Sequence, residues 1–263
     1  MADVSPPIAA ASTTTFTDSE VHAMVSEAHR LGMKIGAHSS VAPTLRRLTA
    51  SANIHVDSIE HGCQMWQIIQ HLAPGSSIFS HGTSDADTRP LFWVPTLATY
   101  YTIGQGAALG RDPSPWQHAV QSFQLYLRTR PRGLRIACGG DTGVFAHGDN
   151  ALEMKVMVCL GADWREVLQW CTLGGWELLR SMRWEGEEGR RRLADVEQLR
   201  EEPRFVGDNE VPFGAVRRGF AADIIATTGD LASDFETAVD SKSISFVMKG
   251  GTVYKLHGKE VRS

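Results

Sequence analysis

Two imidazoles and one carboxylate attract attention because each falls where a β-strand is expected to end. His38 lies at the end of the run 33–39, His61 closes the run 56–61, and Asp141 follows the run 134–138 through Gly139 and Gly140. Neutral imidazole and carboxylate are suitable donors for Zn²⁺ or a similar borderline ion. Asp141 is also a candidate general base toward a metal-activated water. Taken singly, each has a plainer explanation. A histidine at a strand end is commonly a hydrogen-bonded structural group, and a Gly-Gly-Asp turn commonly caps a loop. Their joint placement at strand termini of one repeating architecture favours a site, because parallel α/β barrels take their functional groups from the C-terminal ends of the strands.

The elements that must position these residues are read from periodicity. Thr17 and Glu20 have the T-x-x-E spacing of a capping box, and Val21, Met24, Val25, Ala28 and Leu31 then recur on one helical face that Gly32 closes. Strands are expected over 33–39, 56–61, 91–97 and 134–138. Between and after them, helices are expected over 43–52, 65–72, 115–130, 151–160 and 164–182. Strands alternating with helices imply parallel pairing and right-handed crossovers, hence an α/β fold. Residues 185–212 are highly charged and weakly patterned, as an exposed insertion or loop would be. From 213 to 259 the pattern turns β-rich, with strands expected over 222–227, 244–248 and 252–256 and a hairpin signal at Lys249-Gly250-Gly251.

Bulk properties narrow the class. The chain has 263 residues, 42% hydrophobic, with a formal net charge of −4, enough for one main core and a small appendage. Its one basic cluster, Arg190 to Arg192, sits among Glu185, Glu187, Glu188, Asp195 and Glu197, which argues against a nucleic-acid face. The four cysteines are isolated in sequence, and Cys138 and Cys159 lie in apolar runs and are expected to be buried thiols. No apolar stretch approaches the ~20 residues that cross a bilayer. The first dozen residues lack the pattern of a signal peptide. A cytoplasmic setting and no membrane partner are expected.

Ala37-His38, Ile59-Glu60-His61-Gly62, Val94-Pro95-Thr96-Leu97 and Gly140-Asp141-Thr142-Gly143 occur in suitable order and spacing. Together they resemble the later strands of the amidohydrolase superfamily, in particular its imidazolonepropionase- and prolidase-like branch. Gly219-Phe220-Ala221-Ala222-Asp223 and Val247-Met248-Lys249-Gly250-Gly251 resemble that family's closing β-sandwich. The resemblance runs from about residue 16 to 257, broken by the loops at 75–90 and 185–212. It implies a partial (β/α) TIM-type barrel of about four β/α units over 16–184, the charged insertion over 185–212 and a small β-sandwich segment over 213–259.

By that resemblance His38 and His61 correspond to the metal-binding histidines after the fifth and sixth strands, and Asp141 to the aspartate after the eighth, which binds metal and handles the proton of the attacking water. His147, just past Asp141, either faces substrate or is an ordinary loop histidine. Glu60 is a candidate to orient a ligand histidine. Trp93 either stacks on a flat substrate or packs in the core, and Pro95 and Thr96 shape the barrel mouth. The departures matter as much. The family's His-x-His pair is nowhere in this sequence, only His22 and His29 precede His38, and no lysine precedes Lys34. The strands that would carry the His-x-His pair and, as in many members, the carboxylated lysine are missing.

Half a barrel leaves two open strand edges, which invites a homodimer or a partner chain to complete it. With the pair missing, weak or absent zinc binding by a single copy is expected. Three activities remain open. One is a zinc-dependent hydrolase of an amide or cyclic C–N bond in a small molecule. Another is a metal-free relative doing acid/base chemistry, such as an isomerase, dehydratase or cyclase. The third is a non-catalytic truncated fragment.

Overall fold

The computed structural model describes residues 15–50, 54–79, 89–106, 110, 112–196 and 211–261. They fall into two compact units, one of Met1–Pro95 with Ser114–Arg135 and one of Thr96–Pro113 with Ile136–Ser263.

The first unit opens with helix α1 (Asp18–Arg30), started by the expected box: the Thr17 side chain accepts from the Glu20 amide, and Glu20 reaches back to the Thr17 N–H at 2.7 Å. Such a cap stabilises a helix by about 1 kcal/mol. Of the predicted apolar face only Val25 is buried, while Met24 and Leu31 are exposed. Strand β1 (Gly36–Ser39), helix α2 (Ala42–Ala50), strand β2 (Ser58–His61), helix α3 (Trp66–Ile69) and strand β3 (Leu91–Val94) follow.

Then come α4 (Leu97–Gln105), α5 (Ser114–Thr129) and β4 (Leu134–Ile136). The strands form one sheet in the order β1-β2-β3-β4, with β1–β2 and β2–β3 parallel. This is an α/β architecture, a parallel sheet with helices between its strands. The strands are shorter than expected at both ends. The apolar run 91–97 does not stay extended: Thr96 turns left-handed and Leu97 begins α4, a helix the periodicity did not announce.

Burial in this unit is organised around Leu45, Ile59, Met65, Ile69, Leu91, Trp93 and Phe123, all essentially inaccessible. At the N-terminal ends of the strands sits a charged clamp. Buried Asp57, just ahead of β2, accepts from the Ile35 N–H ahead of β1 at 2.9 Å and pairs with His29 Nε2 of α1 at 2.8 Å. Arg89, ahead of β3, stands 3.4 Å from its other oxygen. One carboxylate thus ties a helix and three strand starts together. His55 beside it stacks on Phe79, and its pKa is lowered by burial first and by the Arg89 charge second.

The second unit holds α4, then α6 (Ala151–Cys159), α7 (Trp164–Cys171), α8 (Leu173–Leu179), α9 (Gly186–Ala194), β5 (Ile224–Thr227), α10 (Phe235–Ala238), β6 (Ile244–Lys249), β7 (Thr252–Leu256) and β8 (Lys259–Glu260). The expected single helix over 164–182 is broken at Thr172 (φ −118°, ψ −85°). The charged stretch carries α9, and residues 197–210 lie outside the described residues. Aromatic anchors explain that helix: Trp176, Trp184 and Val196 form a buried cluster that Leu193, Phe213 and Phe220 cover. Strands β5 to β8 form a separate antiparallel sheet in chain order, and the β6–β7 turn uses Gly250 and Gly251 at φ 55° and 82°, which glycine adopts at little cost.

The cysteine expectation is overturned. Cys138 is bonded to Cys171, and Cys159 is exposed. The partners lie 33 residues apart and are joined by tertiary packing, which spacing rules do not see. Such a bond is uncommon in a reducing compartment. Among the described residues no helix is long and apolar enough to cross a membrane.

Candidate functional site

His38 is carried by β1 opposite Glu60 of β2, and His61 pairs in register with Ser39. Alternation along β2 would send His61 to the side of buried Ile59. Instead its backbone is left-handed, φ 74°, which re-aims the ring. His38 Nδ1 and His61 Nε2 consequently meet at 2.8 Å, with ring centroids 4.9 Å apart. A left-handed histidine costs of order 1 kcal/mol and persists only where its surroundings insist on it. The surroundings are visible. Trp93 Nε1 donates to the His61 carbonyl at 2.9 Å, and the Gly62 N–H donates to Ser39 O at 2.8 Å. Gly62 is itself left-handed, and a Cβ there would come within 2.5 Å of Trp93 Nε1. The Trp93 ring is fully buried near Phe123 and Tyr126, so it packs in the core and holds the His61 turn; it presents no face to a substrate.

Glu60 is half-buried and accepts from the Ser58 hydroxyl at 2.6 Å. Its pKa is raised by burial, against the lowering effects of that hydrogen bond and of the His38 charge. A polar, partly desolvated strip of His38, Glu60 and Ser58 thus lies on one sheet face next to His61.

The second unit holds the other predicted residues. Asp141 is exposed and left-handed at φ 58°. The carbonyls of Gly140 and Asp141 both accept from Thr99 Oγ1, at 2.8 and 3.0 Å. Thr96 is buried, left-handed at φ 48°, and starts α4 without a capping bond from its own side chain. His147 is exposed in the loop after Asp141. Two residues that sequence reasoning missed organise this region. One is Thr99, and the other is Glu153 of α6, whose carboxylate accepts from the Leu97 and Ala98 N–H groups at 3.1 and 2.6 Å. Burial pushes Glu153 up to about 7, with the two backbone hydrogen bonds opposing. Its sequence signal was an acid inside the apolar helix Ala151–Cys159.

The donor set can be tested against a divalent ion. Two imidazole nitrogens sharing a tetrahedral ion at ~2.0–2.1 Å stand roughly 3.3 Å apart, so the His38–His61 pair needs to open by only about half an ångström. The chemistry and spacing of these two donors fit. The number falls short of the three protein ligands usual for catalytic zinc. Among the described residues no group of three or more His, Cys, Asp or Glu is gathered to hold an ion.

No protein-family model matches the chain, and no curated protein matches it. Solved structures do. A Xaa-Pro dipeptidase with methionine bound in its active site matches at 24% identity and a TM-score of 0.59, over 91% of this chain and 49% of the dipeptidase. An A. niger ochratoxinase matches at 18% identity and a TM-score of 0.63, over 94% of this chain and 48% of the ochratoxinase. The chain therefore spans about half the length of these structures, and what it shares with them is the fold.

Proposed function

We propose that this chain is the C-terminal part of an amidohydrolase-type hydrolase that cleaves the C–N bond of an amide or cyclic amide in a small molecule. The observation that carries the proposal is the meeting of His38 and His61 at 2.8 Å at the C-terminal ends of adjacent parallel strands. A fold shared with a dipeptidase and an ochratoxinase supports the reaction class. His38 and His61 would hold a divalent ion, zinc by donor preference. When bound, such an ion polarises a carbonyl and acidifies water. Asp141 would accept the proton of the attacking water and return it to the leaving nitrogen. Glu60 would set the His38 ring, and His147 would meet the substrate from its exposed loop. The remaining ligands and strands would come from a second copy of the chain or from another polypeptide segment.

The two-donor count favours a second reading, in which the His38–His61 pair works without metal as a donor and an acceptor of protons in isomerisation, dehydration or cyclisation. Metal analysis with turnover separates the two. For the hydrolase, zinc titration by calorimetry shows about one site per completed barrel, which His61→Ala and His38→Ala each abolish together with hydrolysis of an N-acyl amino acid panel. Protein that takes up no zinc yet loses turnover with His61→Ala indicates metal-free chemistry. Full turnover in His61→Ala would remove this site from either enzyme.

A further inference from the structure

The second unit contains a relay from a buried acid to the Asp141 turn. Thr96 is left-handed, so the start of α4 lacks the side-chain cap that a threonine ordinarily supplies there. The first free amides of that helix, Leu97 and Ala98, are taken instead by the two oxygens of Glu153, which reaches across from α6. Two residues further along, Thr99 projects from the same first turn and holds the Gly140 and Asp141 carbonyls through one hydroxyl. Glu153 and Thr99 are both buried. The turn they reach is tight: a Cβ on Gly140 would lie 2.7 Å from the Phe145 ring, and Asp141 is held left-handed at φ 58°.

We propose that Glu153 is a positioning residue for Asp141: by clamping the first turn of α4 it fixes Thr99, and through Thr99 the backbone conformation that presents the Asp141 carboxylate. The inference rests on the assignment of Asp141 as the proton-handling group, but the clamp is a property of the chain itself and is measurable without substrate or metal. Glutamate is the one side chain here that offers an acceptor to each of the two amides at once. A glutamine keeps the size but turns an N–H₂ toward one of the two N–H groups, so one is left without an acceptor. Removing the Thr99 hydroxyl acts one step later and leaves the helix start intact.

Hydrogen exchange followed by mass spectrometry on the full chain, held above pH 7 so that Glu153 is ionised, tests the relay. Peptides covering 97–105 and 139–147 are compared in wild type, Glu153→Gln, Thr99→Val, Thr99→Ser and the Glu153→Gln/Thr99→Val double variant. The expected result is about tenfold faster exchange over 139–147 in both Glu153→Gln and Thr99→Val, with the double variant no faster than Thr99→Val alone. Thr99→Ser, which retains the hydroxyl, restores wild-type exchange there. Over 97–105, Glu153→Gln speeds exchange and Thr99→Val does not. Wild-type exchange over 139–147 in Glu153→Gln, or equal loosening of that peptide by Thr99→Ser and Thr99→Val, overturns the proposal. Because Thr99→Val leaves the α6 acid in place, it reports even if Glu153→Gln folds poorly. Coupled exchange without amide hydrolysis would sustain the relay while removing the proposed activity. Where hydrolysis is present, Glu153→Gln lowers kcat with KM held, as expected for a misplaced reacting group rather than a lost binding contact.

Discussion

Glu153 shows how a single residue couples local structure to solution conditions. Burial of its carboxyl outweighs the two backbone hydrogen bonds it accepts, so the charged form is disfavoured and the proton is held up to about pH 7, against a reference of 4.5. The folded chain therefore binds more protons than the unfolded chain between those values, and stability falls as pH rises through that window. The contribution is fully present below about 4.5 and lost above about 7. A shift of that size corresponds to about 3 kcal/mol. Urea unfolding of wild type and Glu153→Gln at a series of pH values should show this slope in the wild type and a flatter profile in the variant. Parallel profiles would mean that Glu153 titrates normally. The other telling residues are His61, Thr96 and Asp141, all non-glycine and all left-handed. A non-glycine residue held left-handed persists only where its own surroundings over-determine it. Residue type alone singled out His38, His61 and Asp141 as candidates, but not the backbone turn that lets the two imidazoles meet.

At the scale of elements, the strand starts are held by Asp57. Asp57→Ala would leave the Ile35 N–H without its carboxylate and put Arg89 and His29, 3.3 Å apart at their nearest, next to each other without the intervening charge. A cost of about 3 kcal/mol follows for breaking such a partly buried network. It would be read as a lower urea midpoint at unchanged m-value, with Asp57→Asn intermediate because its amide oxygen still serves Ile35. A surface-sized loss, under about 0.5 kcal/mol, would show that the clamp is decorative. Elements driven by local chemistry were legible: the Thr17/Glu20 box, the parallel β-strand and helix alternation, and the Gly250–Gly251 hairpin all appear as expected. Those driven by distant contacts were not. α4 starts inside an apolar run because Glu153 supplies its cap from 55 residues away, and α9 folds in a charged stretch because Trp176 and Trp184 give it a surface to cover. Cys138 finds Cys171 for the same reason. None of these partners is adjacent in sequence, so periodicity carries no trace of them.

At the scale of the molecule, the four-stranded sheet has β1 and β4 at its edges, and a closed barrel of this type has eight strands. A sheet edge left unpaired presents N–H and C=O groups that recruit other strands. A twofold axis along the strand direction would keep all strands pointing one way. It would place β1 of one copy against β4 of the other at two equivalent seams, and bring two His38–His61 pairs to the same end of one lumen. A twofold axis across the strands would reverse their direction and cannot make such a barrel. If a second copy supplies the missing strands, light scattering across a concentration series should show a monomer–dimer equilibrium. Zinc uptake should then follow the dimer population and not the total chain concentration, because the third ligand and the lumen walls arrive only with the partner. A strictly monomeric chain that binds zinc at all concentrations would locate the missing ligands within a single copy and dismiss the twofold closure.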